Sequence, residues 1–435
     1  MRNRLLACAT VIALVLSSSV AWSLPQSAAP RTAPAKQSSG FSKERLARID
    51  QVLQQYVDEG RIAGAVALVQ RNGQVAYERA FGWSDKEAGR RMTADTIFRI
   101  ASQTKALTSV AILSLMEEGK LSLPDPVSRF IPSYEKTTVL VRKENGATET
   151  VPAKRQITIR DLLSHTAGIS YGVDRDLAPL YEAKGLGPAA GFGWYTADKD
   201  EPICSTMERL ATLPFAAQPG EAWVYGYATD ILGCVAERAS GMKLDELIRT
   251  RITGPLGMKD THFYLPAAQR GRLAAVYASG EDGKAVRAPD GARGQGHYVD
   301  GPRVSLGGGF GLLSTARDYA RFLEMIRNDG ALDGVRILSP RSVRLMTSNQ
   351  VGALHSTQGL GYGLGFQTTD RFGANGLDSE GAYGWGGAYG SIYRVDPESG
   401  VTIVFMIQLI PDRTDIRRKI STLIYQALLD LPKKR

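Results

Sequence analysis

Histidine and cysteine are scarce in this chain, four and three respectively in 435 residues. No Cys or His pair stands at metal-ligand spacing, and no H-E-x-x-H occurs, so no metal and no other cofactor is expected. The histidines His165, His262, His297 and His355 are not matched by a G-x-S-x-G elbow, which argues against a Ser-His-Asp triad. His165 lies in a helix-to-turn segment and reads as a structural hydrogen-bonder. Gly307-Gly308-Gly309 is not followed by G-K-[ST], so it is no phosphate loop and is expected to floor a cleft. There is no internal repeat. There is also no long run of one charge: 53 basic against 44 acidic residues leave a net +9 spread along the chain. That balance supports solubility and weak attraction to anionic surfaces, and no motif supports nucleic-acid binding.

Long apolar runs are missing as well, except at the start. Arg2 and Arg4 precede an apolar stretch from Leu5 to Leu16, and Ala21-Trp22-Ser23 offers small residues at a cleavage position. Residues 1–23 therefore read as a secretory signal too short for a membrane span, which predicts a secreted or periplasmic protein. Residues 24–40, rich in Pro, Ala, Ser and Gln, read as a flexible linker ahead of one domain over 41–435. Signal removal leaves Cys204 and Cys234. Export permits a disulfide between them, and separate burial is the equal alternative.

What is present is an ordered series of elements. The spacing of Leu46, Ile49, Val52, Leu53 and Tyr56 predicts a helix over 43–59. Two strands, 63–70 and 74–82, flank the hairpin signal Asn72-Gly73, and a second hairpin is expected around Asn145-Gly146. Helices are expected over 102–118, closed by Gly119, and over 159–164, 206–213, 228–239, 316–328 and 415–429. Strands are expected at 390–395 and 401–408. The fold class is thus mixed α/β of the α+β type. An antiparallel sheet is built from both ends of the chain and flanked by helices, with a mostly helical subdomain inserted over roughly 103–305.

Within the second helix, Ser102-Gln103-Thr104-Lys105 puts a hydroxyl and an amine on neighbouring positions of one face. Helix N-terminal N–H groups near Ser102 would favour a developing alkoxide. Ala106, Leu107, Val110, Ala111, Ile112, Leu113 and Leu115 follow, with no further charge before Glu117. A helix apolar on most sides is buried, and a partly desolvated Lys105 is disposed to accept the serine's proton.

The stretch from Phe98 to Lys105 resembles the serine β-lactamase and penicillin-binding-protein superfamily. Ile159 to Gly168, Gly307 to Asp318 and Gly361 to Phe366 are similar to stretches of its class C β-lactamase-like branch. The resemblance runs from about Phe41 to Leu431, and it implies a β-lactamase/transpeptidase-like fold. In Trp223-Val224-Tyr225-Gly226-Tyr227, Tyr225 matches the family's tyrosine partner of the Ser-Lys pair, and Tyr227 replaces the usual polar residue. Where the family starts a strand with K-T-G or H-T-G, this chain has Trp385-Gly386-Gly387. Glycines there let a substrate approach the backbone, and the N–H groups of Ala388 and Ser102 would form the oxyanion hole. The tryptophan, together with the altered tyrosine motif, resembles the family VIII carboxylesterases.

The resemblance implies a secreted serine hydrolase that cleaves carboxylic esters, with Ser102 as nucleophile and Lys105 and Tyr225 as proton-transfer groups. Trp385, Gly386, Gly387 and Tyr227 would line the pocket. A β-lactamase or a D-alanyl-D-alanine carboxypeptidase on the same scaffold is the alternative, and a lactam- or peptidoglycan-binding protein without turnover is a second. The expected partner is a small ester or lactam, with no membrane span in the mature chain.

Overall fold

The computed structural model describes residues 40–187, 197–292 and 294–430. The expected signal segment and all but the last residue of the linker lie outside them. Eight strands form the central sheet: β1 (Gly64–Arg71), β2 (Gln74–Asp85), β3 (Arg90–Arg91), β4 (Leu360–Tyr362), β5 (Gln367–Thr369), β6 (Tyr383–Gly386), β7 (Ile392–Asp396) and β8 (Val401–Met406). Their order is β4-β5-β6-β7-β8-β1-β2-β3, with every neighbouring pair antiparallel. The two ends of the chain therefore meet at the β8–β1 seam, where Val66 stands opposite Met406.

Strand β1 is apolar at consecutive positions because both faces of the sheet are covered. Val66 and Leu68 pack into one core with Val404 and Met406. Ala65, Ala67 and Val69 pack into the other with Ile403 and Phe405. That second core is closed by helix α1 (Lys43–Asp58) and the terminal helix α7 (Ile416–Tyr425), through Ile49, Leu53, Ile416, Ile420 and Ile424. The first core receives helix α2 (Thr104–Glu117), in which every residue from Thr104 to Leu115 is buried. Helix α6 (Ala316–Arg327) lies against β8 and β1 on the same side. Between the two sheet segments come α3 (Ile159–Leu163), α4 (Ile203–Leu210) and α5 (Ala228–Ser240), with two-stranded ribbons at the periphery.

Several boundaries differ from the sequence expectation. Helix α2 starts at Thr104. Ser102 instead sits in a preceding 3-10 turn, Ala101–Gln103, with Ala101 at φ 45° and Gln103 N–H bonded to Ile100 O. Helix α4 begins three residues early, after Pro202, and ends before Pro214, which cannot continue it. The expected hairpin around Asn145-Gly146 does form, its strands Thr138–Arg142 and Thr148–Pro152 pairing antiparallel, with the loop closed by Lys143 N–H to Ala147 O. Strand β6 ends, rather than begins, at the Trp-Gly pair, and β4 and β5 extend the sheet where no strand was read. The cysteines do pair: Cys204 of α4 and Cys234 of α5 form a disulfide with Cα atoms 5.0 Å apart.

Candidate active site

Lys105 is 1% exposed, although it carries an ammonium group on an apolar helix. Its Nζ donates to Gly309 O at 2.9 Å, to the Tyr171 hydroxyl at 3.0 Å and to Ser102 Oγ at 3.3 Å. An ammonium has three N–H donors, so all three are used. The rings of Tyr225 and Phe310 lie 4.7 Å from Nζ and that of Tyr171 lies 5.7 Å away, supplying negative π faces to the charge. The spacing of three in the sequence thus does bring serine and lysine together. The lysine's oxygens come from residues 66 and 204 positions further along.

Gly309 couples the lysine to a second buried charge. Its N–H donates to Asp230 Oδ1 at 2.9 Å, while its carbonyl takes the lysine. A Cβ at this position would stand 2.5 Å from Asp230 Oδ2, so only glycine allows the approach. Burial raises the Asp230 carboxyl above its ordinary range, and the charge of Lys105 and the Gly309 N–H oppose that rise. The glycine run was expected to floor the cleft; Gly309 instead stands behind the residues that line the cavity and anchors these two groups.

Tyr225 is half-buried just ahead of α5 and faces Lys105 with its ring. Its hydroxyl oxygen accepts a hydrogen bond from Trp385 Nε1 at 3.1 Å. Indole nitrogen is only a donor, so the tyrosine's own proton is left for another partner. Trp223 stacks on Tyr225 at 5.8 Å, and His165 lies 4.8 Å from it. His165 departs from its expected role. It is buried in an aromatic nest, its Nδ1 has no hydrogen-bond partner, and burial and then the charge of Lys105 hold its pKa well below the usual histidine range.

Tyr227 also departs from expectation. It is buried behind the site, where its hydroxyl accepts from Gly187 N–H at 2.9 Å and its ring packs on Tyr171 at 4.9 Å. Gly226 between the two tyrosines lies against the Ile169 carbonyl, where a Cβ would come within 2.1 Å. The bend places Tyr225 on the cavity and Tyr227 away from it. Tyr171 takes the lining position instead. Burial, then the neighbouring Tyr225, raises its phenol well above the ordinary range, which keeps it protonated.

The turn after β6 brings Ala388 to the serine. Gly387 N–H bonds to Ser391 O, and Gly390 N–H to Gly387 O. The Ala388 N–H has no acceptor among the described residues. A Cβ on Gly387 would stand 2.6 Å from Ile100 O, so this glycine seats the turn against the segment leading into Ser102. Close approach of the protein's own backbone therefore explains that residue.

Ser102 opens on a cavity of about 520 Å³. Tyr171, Val173, Tyr225, Phe310 and Trp385 form its aromatic and apolar part, with Gly386, Gly387 and Ala388 beside the serine. Gln367, Ile392, Arg394 and Arg417 complete it. Sequence reading missed Tyr171, Phe310, Arg394 and Arg417, since none belongs to a motif of fixed spacing from Ser102. Phe310, inside the family-like stretch 307–318, carried the nearest signal, followed by Tyr171, three residues beyond the stretch 159–168. Among the described residues no group of acidic, His or Cys side chains could hold a metal ion, and no helix is long and apolar enough to cross a membrane.

Esterase EstB of Burkholderia gladioli is 34% identical to this chain over 375 residues, covering 83% of the chain and 89% of the relative. Lovastatin esterase of Penicillium rubens is 30% identical over 394 residues, covering 83% and 92%. The solved structure of EstCE1, a hydrolase with promiscuous acyltransferase activity, matches with a TM-score of 0.73 at 27% identity, covering 89% of this chain and 99% of that one. The beta-lactamase family model matches residues 49–423, and the chain belongs to that family.

Proposed function

We propose that this protein is an exported serine hydrolase that cleaves carboxylic esters through an acyl-enzyme on Ser102. The observation that carries the reading is the buried ammonium of Lys105, held 3.3 Å from Ser102 Oγ at the edge of an open cavity. Ser102 Oγ attacks the ester carbonyl carbon, and its proton passes to the Lys105/Tyr225 pair in the form that lacks one proton, a phenolate beside the ammonium or a neutral amine beside the phenol. The N–H groups of Ser102 and Ala388 hold the oxyanion. The carbon–oxygen bond of the ester breaks, and the leaving alcohol takes the proton from the same pair. A water molecule then attacks the acyl carbon, and its proton returns by that route as Ser102 leaves.

Ester rather than lactam cleavage is supported by Trp385. It stands where related enzymes carry a cation for the substrate carboxylate, and its N–H is spent on Tyr225. Relatives named as esterases support the same choice. The amino-terminal segment, basic and then apolar, supports export. The test is a panel of p-nitrophenyl butyrate and a chromogenic cephalosporin, run with the parent and Ser102→Ala. Ester turnover abolished by the substitution is the expected result. Full ester turnover in Ser102→Ala, or lactam turnover alone in the parent, overturns the reading.

A further inference from the structure

The segment after the glycine run serves two cavities. Phe310 lines that of Ser102, and Leu312, two residues on, lines a separate one of about 430 Å³. The two share no lining residue. Leu312 is itself tied to the nucleophile's surroundings. Its carbonyl accepts from Ile100 N–H and its N–H donates to Thr104 Oγ1, each at 3.1 Å.

The floor of this separate cavity is apolar. Ile248, Met258, Phe263 and Leu312 are each at most 5% exposed. Its rim is cationic and exposed, formed by Arg249, Lys259 and Arg303. Arg249 and Lys259 have no acidic partner among the described residues, whereas the nearby Arg251, outside the lining, is paired with Glu118. Arg303 gives Nη2 to Leu265 O and Val299 O, which leaves Nε and Nη1 unused among the described residues. Asp245 is the one acidic residue of the lining. It forms no ion pair with these cations, and its Oδ1 takes the Glu246 N–H. The other acids close by are engaged: Asp260 by Arg272, and Asp318 by Thr261 and the Asp260 N–H. Exposed Lys243 and Glu246, outside the lining, offset one another.

The backbone that presents the two arginines is unusual at both places. The short helix Leu244–Ile248 runs into a π-helical turn, Arg249–Thr253, in which Gly254 N–H reaches back five residues to Arg249 O. Such turns are rare and recur at functional sites. Arg303 holds the left-handed conformation, φ 59°, which costs a residue with a side chain. Both departures carry a guanidinium on the same rim.

We infer that this cavity is a second ligand site, for a small carboxylate with an apolar body. The inference goes beyond the ester-hydrolase reading and does not depend on it. The apolar body would displace water from the buried floor. The carboxylate would take the free guanidinium and ammonium donors at the rim. An uncharged analogue would cover those donors and replace none of their bonds to water. Inorganic phosphate would meet the rim and leave the floor wet.

Calorimetry with 4-phenylbutyrate, 4-phenylbutanamide and inorganic phosphate tests the site without any turnover. The parent should bind the carboxylate about 10-fold more tightly than either of the others, and added salt should weaken it. Arg249→Gln combined with Lys259→Gln should lower the affinity by about 10-fold. Both side chains are exposed and unpaired, so that variant should fold as the parent does. Trp385→Ala, which alters the Ser102 cavity, should leave the affinity unchanged. The position is read independently by acetic anhydride labelling and peptide mass mapping. Bound 4-phenylbutyrate should slow acetylation of Lys259 and not that of Lys243. No binding at millimolar ligand, equal affinity for the amide or for phosphate, or affinity that survives the double substitution overturns the inference. So does affinity lost in Trp385→Ala, or a Lys259 labelled equally fast with and without the carboxylate.

Discussion

Replacing Lys105 by methionine should separate activity from folding. The lysine is buried and donates to three oxygens. Each hydrogen bond from a charged donor is worth about 1.5–3 kcal/mol. Taking the ammonium out of water costs several kcal/mol, so gain and cost nearly cancel, and a buried ion replaced by an apolar group of similar length is often tolerated. Asp230 sets the pH at which this holds. Its carboxyl is already raised by burial and restrained by Lys105, so removing the ammonium raises it further. A carboxyl whose folded pKa is raised contributes its stabilising share below the unfolded value, about 3.9, and loses it as pH rises through the folded one. Lys105→Met should therefore match the parent within about 2 kcal/mol at pH 5 and fall behind it towards pH 8. Hydrolysis of p-nitrophenyl butyrate should drop by about 10³-fold or more throughout, the scale of a lost proton-transfer group. Urea unfolding followed by circular dichroism at the two pH values, beside the activity assay, checks both parts. A variant that keeps a tenth of the activity refutes the assigned role. One that is as unstable at pH 5 as at pH 8 refutes the coupling to Asp230.

Trp385→Phe keeps the aromatic wall and removes the N–H that Tyr225 accepts. It should lower kcat/KM for esters by about 10-fold, the value of one hydrogen bond, and unchanged kinetics would deny that bond a role. Cys204→Ala with Cys234→Ala opens a loop with a sequence separation of 30 between its ends. It should cost about 4 kcal/mol on chain entropy, read as a lower urea midpoint, with ester kinetics at 25 °C retained. Burial is the main cause holding His165, His262 and His355 below the ordinary histidine range. They are neutral in the fold and gain protons on unfolding, so stability present above about pH 6.5 should fall as pH drops, by up to about 1.4 kcal/mol per pH unit for each. A flat stability profile between pH 7 and pH 5 would contradict this.

Much of the fold was legible because it is encoded over short distances. The turn at Asn72-Gly73 needs two left-handed residues, and both adopt that conformation, with φ 50° and 77°. The apolar run after Lys105 could only be a buried helix, and it is one. Two-residue strands and strands rich in glycine, such as Tyr383–Gly386, carry too little pattern to be read, and they form by pairing with neighbours already in place. Tyr227 was assigned to the pocket because it lies two residues from Tyr225, but the bend at Gly226 turns it away.

By itself, the sequence determined that Ser102 and Lys105 share a face at the mouth of a buried helix, because a separation of three along the chain fixes that geometry locally. It also determined the mixed α/β sheet architecture, through strands at both ends and glycine-closed helices between. Only the tertiary structure decided what surrounds the pair. Tyr171, Gly309, Asp230, Trp385, Arg394 and Arg417 converge from loops, strands and helices far apart in the chain. No local rule records such contacts. They exist because a buried ammonium must find oxygens wherever the packed chain brings them within reach.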